Sequence, residues 1–126
     1  MIYADTDFFI ALVKDGDWLQ DRAASLAAEY ADEIYTSRAT LLELLMISDR
    51  FEFDRMEALS YALEIASLPE DETVLFQAAD YIAEYGLTAF DAYHIAYADH
   101  DPIVSSDTAF DDVTDGRIAI EERSTE

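Results

Sequence analysis

The sequence predicts an α/β fold of three layers, a parallel sheet with helices on both faces. Three observations predict it. Short buried-type runs at residues 2–4, 34–36 and 103–105 alternate with segments whose apolar residues recur every three or four positions, the helical period. Strands separated by helices favour right-handed crossovers, and these make neighbouring strands parallel. The 126 residues contain three glycines, two prolines and no repeated or Ser-rich stretch, so residues 1–126 read as one domain without a linker.

The elements follow in order. A first strand at residues 2–4 leads into an apolar helical stretch at 8–13 and a turn at Asp15 and Gly16. Residues 17–32 form a helix whose stripe is Trp18, Leu19, Ala23, Leu26, Ala27 and Tyr30. After a second strand at 34–36, Ser37 or Thr40 caps a helix reaching about Phe51, and Asp54 caps another ending at Ala66. Pro69 stops that helix, the acids Glu70, Asp71 and Glu72 suit the positive end of the next, and Gly86 supplies its left-handed stop. Thr88 caps a short apolar helix over 89–99, a strand follows at 103–105, and 118–121 alternate as a last strand near an edge.

Composition narrows the chemistry. Half the residues are apolar and 13% are aromatic, so the chain is built to fold despite 29 acids against seven Lys and Arg, a formal charge of -22. Self-repulsion on that scale weakens a compact state in dilute salt, and molar salt, with a Debye length of roughly 3 Å, removes most of it. The acids are scattered rather than gathered in a tail, which reads as adaptation to a high-salt cytoplasm; the alternative is a surface that recruits a basic partner. The absence of cysteine excludes a disulfide framework, a thiolate nucleophile and Cys-ligated zinc. No basic segment precedes an apolar stretch at the N-terminus and no apolar run reaches the ~20 residues of a membrane span, so the expectation is a soluble, cytoplasmic protein.

Among so many acids, burial cost is the filter. Glu43 is the only charge between Arg38 and Asp49, in a segment apolar on nearly every face, where a charge costs several kcal/mol unless paired or coordinated. The alternative is a helix-surface glutamate with a wide apolar flank. Asp91 is likewise the only formal charge between Glu84 and Asp99, although a first-turn aspartate is also plain helix chemistry. Asp5 directly follows the first strand, at the end where such folds place ligands, and Asp7 shares the neighbourhood; either also suits a helix cap. Asp107 lies just past the strand at 103–105, in a Ser-Asp-Thr stretch that doubles as turn chemistry, with Ser105 and Ser106 able to hydrogen-bond a carboxylate.

Carboxylates meeting at one strand-end crevice do not all stay ionised without positive charge beside them. The seven basic residues are few, and only Arg38 lies within a few positions of Glu43; it suits a substrate phosphate or one of the many acids. An oxygen-ligating Mg²⁺ or Mn²⁺ is the economical solution, and it activates water and offsets charge developing on a phosphodiester.

These residues resemble a known pattern. Asp5-Thr6 after a first strand, Glu43 in Thr-Leu-Leu-Glu-Leu-Leu, Asp91 in Phe-Asp-Ala-Tyr-His-Ile-Ala, and Asp107 in Ile-Val-Ser-Ser-Asp-Thr-Ala-Phe resemble the four acidic motifs of PIN-domain ribonucleases, in order and over nearly the whole chain. The overall size is similar to that of the VapC toxins of toxin–antitoxin pairs. The resemblance implies a PIN-like sheet of four or five parallel strands, metal-dependent cleavage of RNA, frequent homodimers and inhibition by a small antitoxin. It makes Asp5, Glu43, Asp91 and Asp107 metal ligands or water-orienting groups. Ser105 stands where the family has a hydroxyl two residues before the last acid, whereas Asp7 replaces a small polar residue. His94, on an apolar helix, reads as a packed core residue rather than a general base.

Two other functions compete. Asp5-Thr6-Asp7 after a strand mimics the nucleophile and acid of haloacid-dehalogenase-type phosphatases, but the sole lysine, Lys14, comes too early for that pattern and no Gly-Thr follows Asp7. A noncatalytic PIN-like binding module without metal is the other reading.

Overall fold

The computed structural model describes residues 1–14, 16–69, 72–98, 101–105 and 117–121. Among the described residues ten elements follow one another: β1 (Ile2–Ala4), α1 (Thr6–Val13), α2 (Gln20–Glu29), β2 (Ile34–Tyr35), α3 (Arg38–Ile47), α4 (Arg55–Ile65), α5 (Thr73–Tyr85), α6 (Ala89–Ala98), β3 (Ile103–Ser105) and β4 (Arg117–Ala119). The expected turn at Asp15, the acids Glu70 and Asp71, and Asp107 lie outside the described residues.

The four strands pair in the order β2-β1-β3-β4, all parallel, with Ile2 opposite Ile34, Tyr3 opposite Ile103 and Val104 opposite Ile118. Period-two alternation separates the two faces. Ile2, Ala4, Ile34 and Val104 pack with Phe8, Phe9, Leu26, Leu44 and Ala62 of α1 to α4, whereas Tyr3, Tyr35 and Ile103 pack with Val74, Ala78, Ala92 and Ile95 of α5 and α6. This is the three-layer α/β/α architecture expected. Phe8 and Phe9 are fully buried, each removing enough apolar area to stabilise the fold by about 1.5–3 kcal/mol, so truncating either opens a cavity beneath the sheet.

The chain leaves β1 toward β2 and later returns to β3 on the other side of β1. The order therefore reverses between β1 and β3, and a crevice belongs at their carboxyl ends. At the far edge, Ser67 extends the sheet for one residue: its N–H donates to the Ile34 carbonyl at 3.0 Å and its carbonyl accepts from Thr36 at 2.9 Å, which covers the β2 edge.

Local chemistry sets the helix ends. Ser37 Oγ accepts from the Thr40 N–H, Asp54 Oδ1 from the Glu57 N–H and Thr88 Oγ1 from the Asp91 N–H, three caps legible in the sequence. Gly86 ends α5 at φ +66°. Two expectations fail. The helix expected over 17–32 starts only at Gln20, because Asp17 Oδ1 accepts the Leu19 N–H and folds Trp18 into a turn, where it is 74% exposed instead of lying on the core stripe. The helix of Glu43 is not buried all round: α3 ends at Ile47, and Leu42, Leu45 and Met46 face outward, Met46 at 72% exposure. Its sequence is apolar on every side, yet its own core takes only the side of Thr40 and Leu44.

Candidate active site

Asp5 stands at the switch point. It follows β1, caps α1 by accepting the Asp7 N–H on Oδ1 at 3.1 Å, and accepts the Ser105 hydroxyl on Oδ2 at 2.6 Å. Of the two roles open in the sequence, the helix cap is thus realised by this carboxylate. Asp5 is buried, and burial pushes its pKa well above the ordinary carboxylate range; the Asp7 charge pushes it further and Glu43 adds a smaller push. The Ser105 hydroxyl and the Phe8 N–H act against this by bonding the charged form. Asp7, in the first turn of α1, therefore belongs to the electrostatic neighbourhood of Asp5. The Thr6 hydroxyl beside it is buried and has no hydrogen-bond partner among the described residues.

Glu43 lies on the second turn of α3, its side chain 26% exposed, so neither the fully buried nor the plain surface reading holds. Its carboxylate has a polar partner: Oε1 meets His94 Nε2 at 2.5 Å, and His94 is buried on α6. On the other side of the ring, His94 Nδ1 meets the Tyr3 hydroxyl at 2.6 Å, and that hydroxyl also reaches Ser37 Oγ at 2.7 Å and Thr40 Oγ1 at 3.2 Å. Burial pushes the Tyr3 phenol far above its usual range, with Asp5 and Glu43 adding to it, so Tyr3 keeps its proton. His94 is packed, as expected, but its ring also supplies the polar partner that the basic residues do not.

Asp91 occupies the first turn of α6, one turn before His94, its backbone N–H held by Thr88 Oγ1 at 3.2 Å. The helix that carries Asp91 therefore packs against the helix that carries Glu43, with His94 at the contact. Arg38 opens α3 and is exposed. Ser105 ends β3, and its carbonyl accepts from Arg117 Nη1 at 2.8 Å, a guanidinium also paired with Glu121 at 2.9 Å. Arg117 is a basic group near the crevice that spacing from the acids gave no reason to place there; register across β3 and β4 brings it in. Tyr3 had a signal in the sequence: a tyrosine inside a buried strand needs a partner for its hydroxyl.

Asp5 and Ser105 thus meet directly, and Asp5 and Glu43 sense one another electrostatically. Among the described residues no group of three His, Asp or Glu side chains is set closely enough to hold a metal ion, and Asp107 lies outside those residues. The donors nevertheless suit a hard cation. They are carboxylate and hydroxyl oxygens, Asp5 is desolvated among like charges, Thr6 has an orphaned hydroxyl, and Mg²⁺ binds through only one or two carboxylates with water completing its shell.

The comparisons agree with this architecture. The family model for the PIN domain matches residues 2–116. No curated protein matches the sequence. Among solved structures, VapC20 of Mycobacterium tuberculosis, a sarcin–ricin loop cleaving toxin, superposes with a TM-score of 0.77 at 20% identity, over 89% of this chain and 94% of that one. A toxin–antitoxin complex from Klebsiella pneumoniae gives 0.76 at 16% identity, covering 98% of this chain and 100% of the other. FitAcB from Neisseria gonorrhoeae gives 0.58 at 16% identity, covering 94% and 96%. These likenesses carry the fold, and the family match spans residues 2–116 of 126: the chain belongs to the PIN domain family.

Proposed function

We propose that this protein is a metal-dependent endoribonuclease of the VapC toxin type, with Asp5, Glu43, Asp91 and Asp107 as the acids that hold Mg²⁺ or Mn²⁺. The observation that carries the reading is Asp5: a buried carboxylate at the sheet's switch point, pushed toward protonation by burial, Asp7 and Glu43. A carboxylate in that setting is suited to ionisation only with a cation beside it. The sarcin–ricin loop cleaving toxin of similar fold supports RNA as the substrate class.

When bound, the cation supplies Lewis-acid stabilisation of the phosphodiester and activation of the attacking water. The chain's own residues set the rest. Ser105 and the Asp7 N–H fix both oxygens of Asp5, so its orientation is set before ligand arrives. Asp91 sits in the first turn of α6, at the helix's positive end, where an acidic side chain stabilises the helix.

A small antitoxin and a second copy of the chain are the partners proposed, and the outer face of α3, α5 and α6 suits them. Leu42, Met46, Leu75, Ile82 and Phe90 are exposed there, and a groove of about 280 Å³ lies between Leu75, Ile82 and Phe90. Apolar exposure on this scale marks interaction surfaces. The toxin–antitoxin complex among the similar structures supports the same reading. Among the described residues no helix is long and apolar enough to cross a membrane.

The test is RNA cleavage in molar KCl with and without Mn²⁺, using Glu43→Gln as the control. Cleavage should require Mn²⁺ and fall by at least a hundredfold in the variant; cleavage that survives EDTA or the substitution overturns the mechanism. The metal-free binding module draws support from the lack of a three-ligand cluster among the described residues. Calorimetric Mn²⁺ titration separates it, because a binding module shows no site that Asp91→Asn or Glu43→Gln weakens. The phosphatase reading loses its lysine. Lys14 sits over the Phe51 ring at the far end of the eight-residue α1, about 12 Å along the helix from Asp5.

A further inference from the structure

We propose that His94, backed by Tyr3, is a positioning residue that locks the Glu43 carboxylate and leaves one of its oxygens for the ligand. The inference rests on the nuclease reading above, because it assigns a purpose to the orientation of an acid that reading uses.

The hydrogen inventory carries it. A carboxylate oxygen accepts only, so the His94 Nε2 at Glu43 Oε1 bears the hydrogen. In the neutral imidazole Nδ1 then accepts, and the Tyr3 hydroxyl at 2.6 Å is placed to donate to it. Tyr3 has a single hydrogen and two lone pairs, and the lone pairs face the hydroxyls of Ser37 and Thr40. Donors and acceptors therefore run one way, from Ser37 and Thr40 through Tyr3 and His94 to Glu43. Each bond in such a chain polarises the next.

Geometry makes the chain a clamp. Ser37, Thr40 and Glu43 are spaced by three along one side of α3, so the relay leaves the helix at its first turn and returns to it one turn later. Tyr3 comes from β1 and His94 from α6, both buried, so neither swings away without opening the core. Glu43 would otherwise sample many rotamers at 26% exposure. Held by Oε1, it keeps Oε2 without a partner among the described residues. Tyr3 also directly precedes Ala4 and the Asp5 cap, so the same strand end orients both acids.

A network that only joined α3, β1 and α6 would change stability alone. The discriminating readouts are Mn²⁺ affinity by calorimetry and the position of the imidazole hydrogen by ¹⁵N NMR of the metal-free protein. Only two histidines are present, so a His94→Gln spectrum assigns the signals. Wild type should carry the His94 hydrogen on Nε2. His94→Ala should weaken Mn²⁺ binding by about 10- to 100-fold, the range for groups that orient metal ligands, and lower kcat rather than raise KM. His94→Gln, which keeps an N–H for Glu43, should recover most of the affinity. Tyr3→Phe retains the ring and packing and should weaken binding several-fold, which keeps the test open if His94→Ala does not fold. A hydrogen on Nδ1, or Mn²⁺ affinity equal to wild type in Tyr3→Phe and His94→Ala, overturns the clamp while leaving the nuclease reading intact. Wild type that neither binds Mn²⁺ nor cleaves RNA overturns both.

Discussion

Ser105 Oγ donates to Asp5 Oδ2 at 2.6 Å, joining residues 100 positions apart at the ends of the two central strands. The bond favours the ionised carboxylate, whereas burial and Asp7 disfavour it. Hydrogen bonds to charged groups contribute about 1.5–3 kcal/mol, so Ser105→Ala should weaken Mn²⁺ binding and RNA cleavage by roughly 10- to 100-fold. Thermal stability in EDTA should move less than affinity, since an Asp5 that stays protonated depends less on that donor. Equal Mn²⁺ affinity in the variant and the wild type would exclude Ser105 from the site.

The same carboxylate predicts a pH dependence. Its folded-state pKa lies above the ordinary 3.8, so between these two values the native state holds a proton that the unfolded chain has released. The stabilising contribution is complete below the unfolded value and is lost as pH rises through the folded one. In EDTA and molar KCl, wild-type stability should therefore decline as pH rises above about 4, and Asp5→Asn should flatten that decline and be the more stable protein at neutral pH. Saturating Mn²⁺ should reverse the order. Urea unfolding across pH checks this, and parallel profiles for the two proteins would contradict the placement of Asp5.

The outward face of α3 yields a third expectation. Leu42 and Met46 contribute little to the core, so Leu42→Glu with Met46→Glu should change monomer stability by no more than about 1 kcal/mol. If that face joins two copies, sedimentation in molar KCl should find wild type at twice the monomer mass and the double variant at the monomer mass. Identical masses for both proteins would remove α3 from the interface.

What the sequence disclosed, and what it hid, follows from the range of the forces. Ser37, Asp54, Thr88 and Gly86 announce helix ends because capping is decided within three or four residues. The unbroken apolar run Ile2, Tyr3 and Ala4 announces a short strand buried on both faces. Trp18 misleads because the Asp17 turn competes with a helical period that continues through it. Apolar spacing also does not distinguish a side packed on the chain's own core from one left outside it, and α3, apolar nearly all round, buries only the side of Thr40 and Leu44. The Glu43–His94 pair spans 51 positions and exists only because α3 docks on α6, so no local pattern encodes it. Glu43 and Asp91 stand out as lone charges in apolar segments, but that pattern overstates their burial, since both are only partly covered.

The formal charge of -22 sets a final expectation, for salt. Repulsion among exposed acids favours the expanded chain, and its range shrinks from about 10 Å at 0.1 M salt to about 3 Å at 1 M. Glu29, Glu33, Glu64 and Glu84 are exposed and sit away from Asp5 and Glu43 in the chain. Replacing all four with Gln should raise the melting temperature in dilute KCl and leave it nearly unchanged in molar KCl, because screening already removes what the substitutions remove. Screening acts on charge alone, so the dilute-salt gain should scale with the number of acids replaced, whichever of the four are chosen. Calorimetric scans of single, double and quadruple variants at both concentrations measure this. A gain that persists in molar KCl would point instead to local helix propensity at the substituted positions, and would overturn self-repulsion as a source of instability in dilute salt.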